Sequence, residues 1–240
     1  AHSDVADRFR MNTDRWPDLR IIDMSHCPTL DFEELDMVYG LPEINRKQLV
    51  RGARRAVVAR SIAAASLIGL YPLARHLLLK GDIEIAYICP ADIATEEKKA
   101  MACKEIEHVL RNTQKSFHGT ISLKDESGRQ NEEQIFSNRM LRVEINIPCS
   151  LDINEVFRIF EDIYSDHNFT HAISTVMGPE ETEGTQKTLV SLQKRNPETL
   201  TITVDADCRM RGGAGDAVHI MNLMFGLHEK TGLYLKVNKF

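Results

Sequence analysis

Ser61 stands just after an apolar run, Arg54 to Val58, and at the head of a segment whose apolar residues cover nearly every helical face from Ile62 to Leu70. A hydroxyl at such a junction attacks a carbonyl carbon only when a neighbouring base removes its proton. Capping the helix needs no base, and capping is the simpler expectation. Cys89 occupies a similar junction, behind the run Ile83 to Ile88. A helix N-terminus there would favour thiolate, yet no histidine stands close in sequence and a packing role is expected. Cys103 and Cys149 also read as packing residues. Arg60, Arg129 and Arg211 are cations able to hold an acidic ligand. The turn Gly212-Gly213-Ala214-Gly215 could offer backbone amides to a phosphate. Seven residues separate it from Val204, the end of the nearest predicted strand, and no returning strand follows. Close packing of a C-terminal helix is therefore the expected use of those glycines.

These residues need elements to hold them. Period-2 or continuous apolar runs predict strands over Leu19–Met24, Arg54–Val58, Ile83–Ile88, Phe117–Leu123, Met140–Ile147 and Thr199–Val204. Helical spacing predicts helices from Ser61 to Ala74, Ala91 to Thr113 (capped by Asp92 or Thr95), Leu151 to Tyr164 (capped by Ser150) and Gly213 to Leu227. The stretch between the first two strands reads as a polar, acidic connection. His118, at the start of a predicted strand, is expected to be an edge or surface residue. The texture is α/β at the front and α+β at the back.

Composition narrows the possible functions. With 240 residues and 42% hydrophobic content, the chain can bury a full core. A net charge of −5 gives no reason to expect nucleic acid or an anionic membrane as partner. Five cysteines without a C-x-x-C pair argue against a disulfide framework or a zinc site, and a reducing cytoplasm is expected. No apolar run approaches the ~18 residues that a membrane span needs. The first residues lack a signal-peptide pattern and a methionine, so a processed chain or a fragment is expected.

One stretch carries more information than composition. Tyr39-Gly40-Leu41-Pro42-Glu43-Ile44-Asn45-Arg46 and Asn222-Leu223-Met224-Phe225-Gly226-Leu227 resemble segments of the N-acetyl-gamma-glutamyl-phosphate reductase family. That resemblance implies NADPH-dependent reduction of an acyl phosphate to a semialdehyde, through a cysteine nucleophile and a histidine acid/base. The implied fold is α/β: a partial Rossmann-type nucleotide domain, plus an α+β mixed-sheet catalytic and dimerisation domain like that of semialdehyde dehydrogenases. The expected division assigns residues 1–60 with 212–240 to the first unit and 61–211 to the second. The expected partners are a second copy, through the C-terminal sheet, and a small acidic substrate.

Aligned without a gap from Pro72, the family's Asn-Pro-Gly-Cys slot reads Val58-Ala59-Arg60-Ser61, so Ser61 takes the nucleophile position. Gln130 falls where the histidine is expected, and an amide cannot shuttle a proton; His118 is the substitute candidate. The Asp-Asn-Leu-x-Lys-Gly segment appears as Asp207-Cys208-Arg209-Met210-Arg211-Gly212, placing Cys208 and Gly212 at cofactor positions. The Gly- and Ser-rich loop expected after Ile88 reads Cys89-Pro90-Ala91-Asp92-Ile93-Ala94. Glu43, Arg60, Arg129 and Arg211 are the implied substrate contacts. NADP is the implied cofactor, but no Gly-rich strand–turn–helix unit precedes Ser61 to receive it. Impaired or absent reductase activity is therefore expected, with a structural or regulatory subunit, or an altered enzyme for an acidic acyl substrate, as alternatives.

Overall fold

The computed structural model describes residues 18–25, 36–129 and 138–233. A small parallel sheet has the order β1-β3-β2, from β1 (Ile21–Asp23), β2 (Val38–Gly40) and β3 (Arg55–Val58). Helix α1 (Pro42–Val50) lies between β2 and β3, opened by a proline in its first turn, where a missing N–H costs nothing. The polar connection expected here therefore contains a strand and a helix. Leu41 and Leu49 are its fully buried anchors, but α1 is too polar on average for periodicity to reveal it.

Helix α2 (Ser61–Arg75) follows β3 and is buried along fourteen of its residues, Ser61 to Ala74. It lies on the second sheet, where a side chain at Gly69 would meet Ile145, Ile202 and Val204 at 3.2–3.3 Å. Pro72 inside this helix has no N–H for the Ile68 carbonyl. The Tyr164 hydroxyl donates to that carbonyl instead, at 2.6 Å, so the buried acceptor is satisfied.

The second sheet has the order β5-β4-β6-β9-β8-β7. Its strands are β4 (Ile83–Ile88), β5 (Ile121–Asp125), β6 (Met140–Pro148), β7 (Thr170–Ile173), β8 (Thr188–Asn196) and β9 (Thr199–Asp207). The β4/β5 and β7/β8 pairs are parallel, and the other three antiparallel. Register aligns Ile85, Ile145, Ile202 and Leu192 in one buried row on the face covered by α2, α3 (Glu96–Thr113) and α4 (Ile153–Tyr164). Strand β7 and β8 escaped the sequence reading, because β8 mixes buried Thr188 and Ser191 with apolar neighbours.

Several element ends differ from expectation. Helix α3 starts at Glu96 with Thr95 as its cap, because Pro90 to Ala94 form a turn that frees Asp92 for another use. Helix α4 is capped by Asp152, not Ser150, in a reciprocal capping box with Glu155. Strand β5 begins at Ile121; Phe117 is a buried residue of the preceding connection. The last helix, α5 (Ala214–Met224), packs on the small sheet through Ile220, Leu223 and Met224.

Candidate functional site at the head of the buried helix

The short β3–α2 connection delivers Arg60 and Ser61 to one point, where the turn after β9 also arrives. Arg60 is the N-cap residue and Ser61 the first helical residue, so Ser61 is not the cap that the sequence suggested. Its hydroxyl donates instead to the Cys208 carbonyl at 3.1 Å. Ser61 is 5% exposed. Gly212, with φ +70°, lies directly against it: an added Cβ would sit 2.3 Å from the Ser61 nitrogen and 2.7 Å from its Oγ. Only glycine holds that conformation without strain and leaves that space.

The charge at this helix start is met from inside the protein. Glu105 of α3 accepts from the Arg60 backbone N–H at 3.1 Å and from its guanidinium at 2.7 Å. The Tyr39 hydroxyl donates to the same carboxylate at 2.8 Å. Burial raises the Glu105 carboxyl above its usual value, and Arg60 and Tyr39 offset only part of that rise. Burial and the adjacent Glu105 carry the Tyr39 phenol well above its usual value. Glu105 was not among the sequence candidates, yet its signal was legible: it lies on the buried stripe of Ala102, Ile106 and Val109.

Arg211 and Glu43 form a second buried cluster. The Arg211 guanidinium, 1% exposed, reaches Glu43 at 3.0 Å and Asp216 at 3.0 Å, and its Nε donates to the Thr188 hydroxyl at 3.0 Å. The Thr170 hydroxyl donates to Glu43 at 2.5 Å, and the Gly212 N–H to Asp216 at 2.6 Å. Gln186 also donates to Asp216. Burial pushes Glu43 up, but Arg211 together with His167 and Thr170 outweighs it and brings the carboxyl to about 2. For Asp216 burial prevails over Arg211, helped by repulsion from Glu43, and the carboxyl is raised.

The two thiols near Ser61 are kept protonated. Burial, with the nearby carboxylates of Asp125 and Asp92, carries Cys89 to about 12. Burial carries Cys208 to about 11. Exposed His118 lies in the α3–β5 connection, beside Leu77 to Asp82 at the far end of α2, ~20 Å along the helix from Ser61. Arg129 ends a short 3-10 turn, Ser127–Arg129, which brings its backbone near the end of β4, where Cys89 and Ser127 exchange hydrogen bonds at 3.2 Å. Gln130 lies outside the described residues. The structure thus assembles Ser61, Arg60, Cys208 and Gly212, sets Glu43 and Arg211 behind them, and leaves His118 apart.

No protein-family model matches the chain. Individual proteins do. N-acetyl-gamma-glutamyl-phosphate reductase of Parabacteroides distasonis is 31% identical over a 259-residue alignment covering all of this chain and 77% of the relative. The chain belongs to the N-acetyl-gamma-glutamyl-phosphate reductase family. The reductase of Phocaeicola vulgatus is 29% identical with the same coverage. Among solved structures, aspartate semialdehyde dehydrogenase II of Vibrio cholerae superposes with TM-score 0.65 at 11% identity, over 93% of this chain and 77% of that one. A probable aspartate-semialdehyde dehydrogenase from Pseudomonas aeruginosa gives 0.64 at 12% identity. These likenesses show the mixed-sheet fold of semialdehyde dehydrogenases, with parallel and antiparallel strands as expected.

For a member of this reductase family, the glycine turn is closed to a dinucleotide. Gly212 abuts Ser61, a side chain at Gly213 would strike the Arg209 carbonyl at 2.2 Å, and one at Gly215 would strike Gln186 at 2.0 Å. The Gly212 N–H already serves Asp216. The Gly213 and Ala214 N–H groups are likewise engaged, by the Met210 and Arg209 carbonyls, so the turn does not fit a pyrophosphate, and its glycines serve packing. Among the described residues no helix is long and apolar enough to cross a membrane, and no His/Cys/Asp/Glu group is arranged to hold a metal ion.

Proposed function

We propose that this chain is a family member that does not reduce acyl phosphates and works as a structural or regulatory partner. The Ser61–Cys208 contact carries this reading. The hydroxyl at the nucleophile position is committed to a carbonyl oxygen, which can take no proton from it, and Gly212 closes the space above. Supporting it, Arg60 and Arg211 spend their charge on Glu105, Glu43 and Asp216. A substrate carboxylate would have to displace buried internal partners to reach either one. NADP enters this proposal as a cofactor the family uses and this chain no longer binds productively.

The assembly surface is the face of the large sheet opposite α2, α3 and α4. Its outward residues Glu84, Lys124, Glu144 and Arg195 are paired across strands, Arg195 with Glu144 at 3.8 Å and Lys124 with Glu84 at 4.0 Å. Mixed charge of this kind can face its own copy across a two-fold axis. Reversing Glu144 and Arg195 one at a time should weaken a dimer read by sedimentation, and the double reversal should restore it.

The decisive assay mixes purified protein with NADPH, N-acetylglutamate semialdehyde and phosphate, following absorbance and NADPH fluorescence. No turnover and no saturable fluorescence change is expected. Phosphate-dependent turnover would overturn the reading. Ser61→Cys is expected to stay inactive, since the thiol would inherit the same closed surroundings; turnover by that variant would show that only the nucleophile is missing.

A further inference from the structure

Beside the closed site lies an ion pair that the packing does not require. Arg209 Nη1 donates to Asp92 Oδ2 at 2.7 Å, and Nη2 to Oδ1 at 3.1 Å, a two-pronged contact between the turn after β9 and the turn after β4. Both side chains are substantially exposed, 39% for Arg209 and 61% for Asp92, and an exposed pair contributes little to folding. The two ends differ in how firmly they are held. The Arg209 backbone is pinned: its N–H donates to Asp207 at 2.8 Å, its carbonyl accepts from Ala214 at 3.0 Å, and Gly213 packs against that carbonyl. Asp92 sits in a short turn, tied otherwise through its carbonyl, which accepts from the Lys98 ammonium at 2.5 Å.

A guanidinium fork on a pinned backbone, holding a carboxylate edge-on, is the geometry by which proteins take small oxyanions. Here the carboxylate is the chain's own, and Lys98 brings a second cation beside it. We infer that Arg209 is an oxyanion-binding site occluded by Asp92, whose carboxylate stands where a ligand carboxylate or phosphate would bind. An incoming oxyanion engages Arg209 and draws on Lys98. The displaced Asp92 turns into water at small cost, because it is already mostly solvated. The site takes small molecules bearing a carboxylate or phosphate, and it needs neither Ser61 nor a dinucleotide. Its success or failure is therefore independent of whether the chain reduces anything.

The test is calorimetric titration of the full chain at low ionic strength with two probes, inorganic phosphate and glutarate. Asp92→Asn should bind at least one probe about fivefold more tightly than the unaltered protein, the upper end of what an exposed competing carboxylate can withhold. Arg209→Gln should abolish that gain in the Asp92→Asn background. Tightening for phosphate alone or glutarate alone supports the site and assigns its ligand class. No tightening in Asp92→Asn, or tightening that persists without Arg209, overturns it. Both side chains are exposed, and unchanged circular dichroism of each variant confirms that the readout reports binding.

Discussion

Replacing Arg211 by methionine should invert the way this protein's stability depends on pH. In the native chain Glu43 is buried, yet its carboxyl lies at about 2 instead of its ordinary 4.5, because Arg211 and Thr170 outweigh burial. A carboxyl depressed in the folded state adds stability that is fully present above its unfolded pKa and lost as pH falls through the folded one. A gap of this size corresponds to ~3 kcal/mol at neutral pH. Asp216, raised by burial, works in the opposite direction and offsets part of it. Methionine keeps the volume and removes the cation. Two buried carboxyls then face each other with, among the described residues, Thr170, Gly212 and Gln186 as donors, and both are driven above their unfolded values. Stability should now fall as pH rises from about 4 to 7. Breaking a buried pair from one side costs ~3–5 kcal/mol, and in a chain of this length that lowers Tm on the order of 10 °C at pH 7. Near pH 4 the variant and the parent should approach each other. Urea titrations at pH 4, 5.5 and 7 measure the gap directly, and Glu43→Gln in the variant should recover part of it. A deficit under ~1 kcal/mol at pH 7, or one that does not change with pH, would refute the electrostatic account.

Three further outcomes follow from the same contacts. Gly212→Ala should destabilise by ~2–5 kcal/mol, combining left-handed strain with a collision against the Ser61 backbone; a urea midpoint shift worth less than ~1 kcal/mol would show that the turn can move away. Glu105→Gln keeps the shape but removes the carboxylate that accepts from the Arg60 guanidinium, the Arg60 backbone N–H and the Tyr39 hydroxyl, at ~1.5–3 kcal/mol, and an unchanged denaturation midpoint would contradict this. Cys89 and Cys208, buried and held protonated to about 12 and 11, should react with a thiol reagent at pH 8 only on unfolding. Peptide mapping that finds either one labelled within minutes in the native protein would sink that claim.

The sequence was most legible where a residue's neighbours in space are also its neighbours in the chain. Ser61 to Arg75 follows from one unbroken apolar helical run, and Ile83 to Ile88 from a clean apolar strand. Legibility failed where the stabilising partner arrives from afar. Thr188 and Ser191 look like loop residues until Arg211 and the Thr175 carbonyl supply their hydrogen bonds. Asp152 outcompeted Ser150 for the cap because it could trade bonds with Glu155 three residues on, a pattern that was readable in principle. At the site, position in the family motif located Ser61, Cys208 and Gly212 together, while Glu105, 44 residues beyond Ser61 in the chain, declared itself only as a carboxylate on an apolar helix stripe.

What separates a closed site from one that merely lacks a nucleophile is where the polar atoms of its walls point. A reactive centre keeps donors and cations unspent and aimed at the place where charge develops. Around Ser61 the donors are spent inward: its hydroxyl on Cys208, the Arg60 backbone N–H and guanidinium on Glu105, the Gly212 N–H on Asp216. Each acceptor is itself buried, so none can be released without leaving a desolvated group behind. Restoring a cysteine at position 61 would change one atom and leave all those commitments in place. Regaining an open site would require relaxing Gly212 from Ser61 and uncoupling Arg60 from Glu105 together, and both contacts now hold the head of α2 against its neighbours. The atoms that would have to move for chemistry are the ones that hold the fold, and that physical link is what the proposed loss of reductase activity rests on.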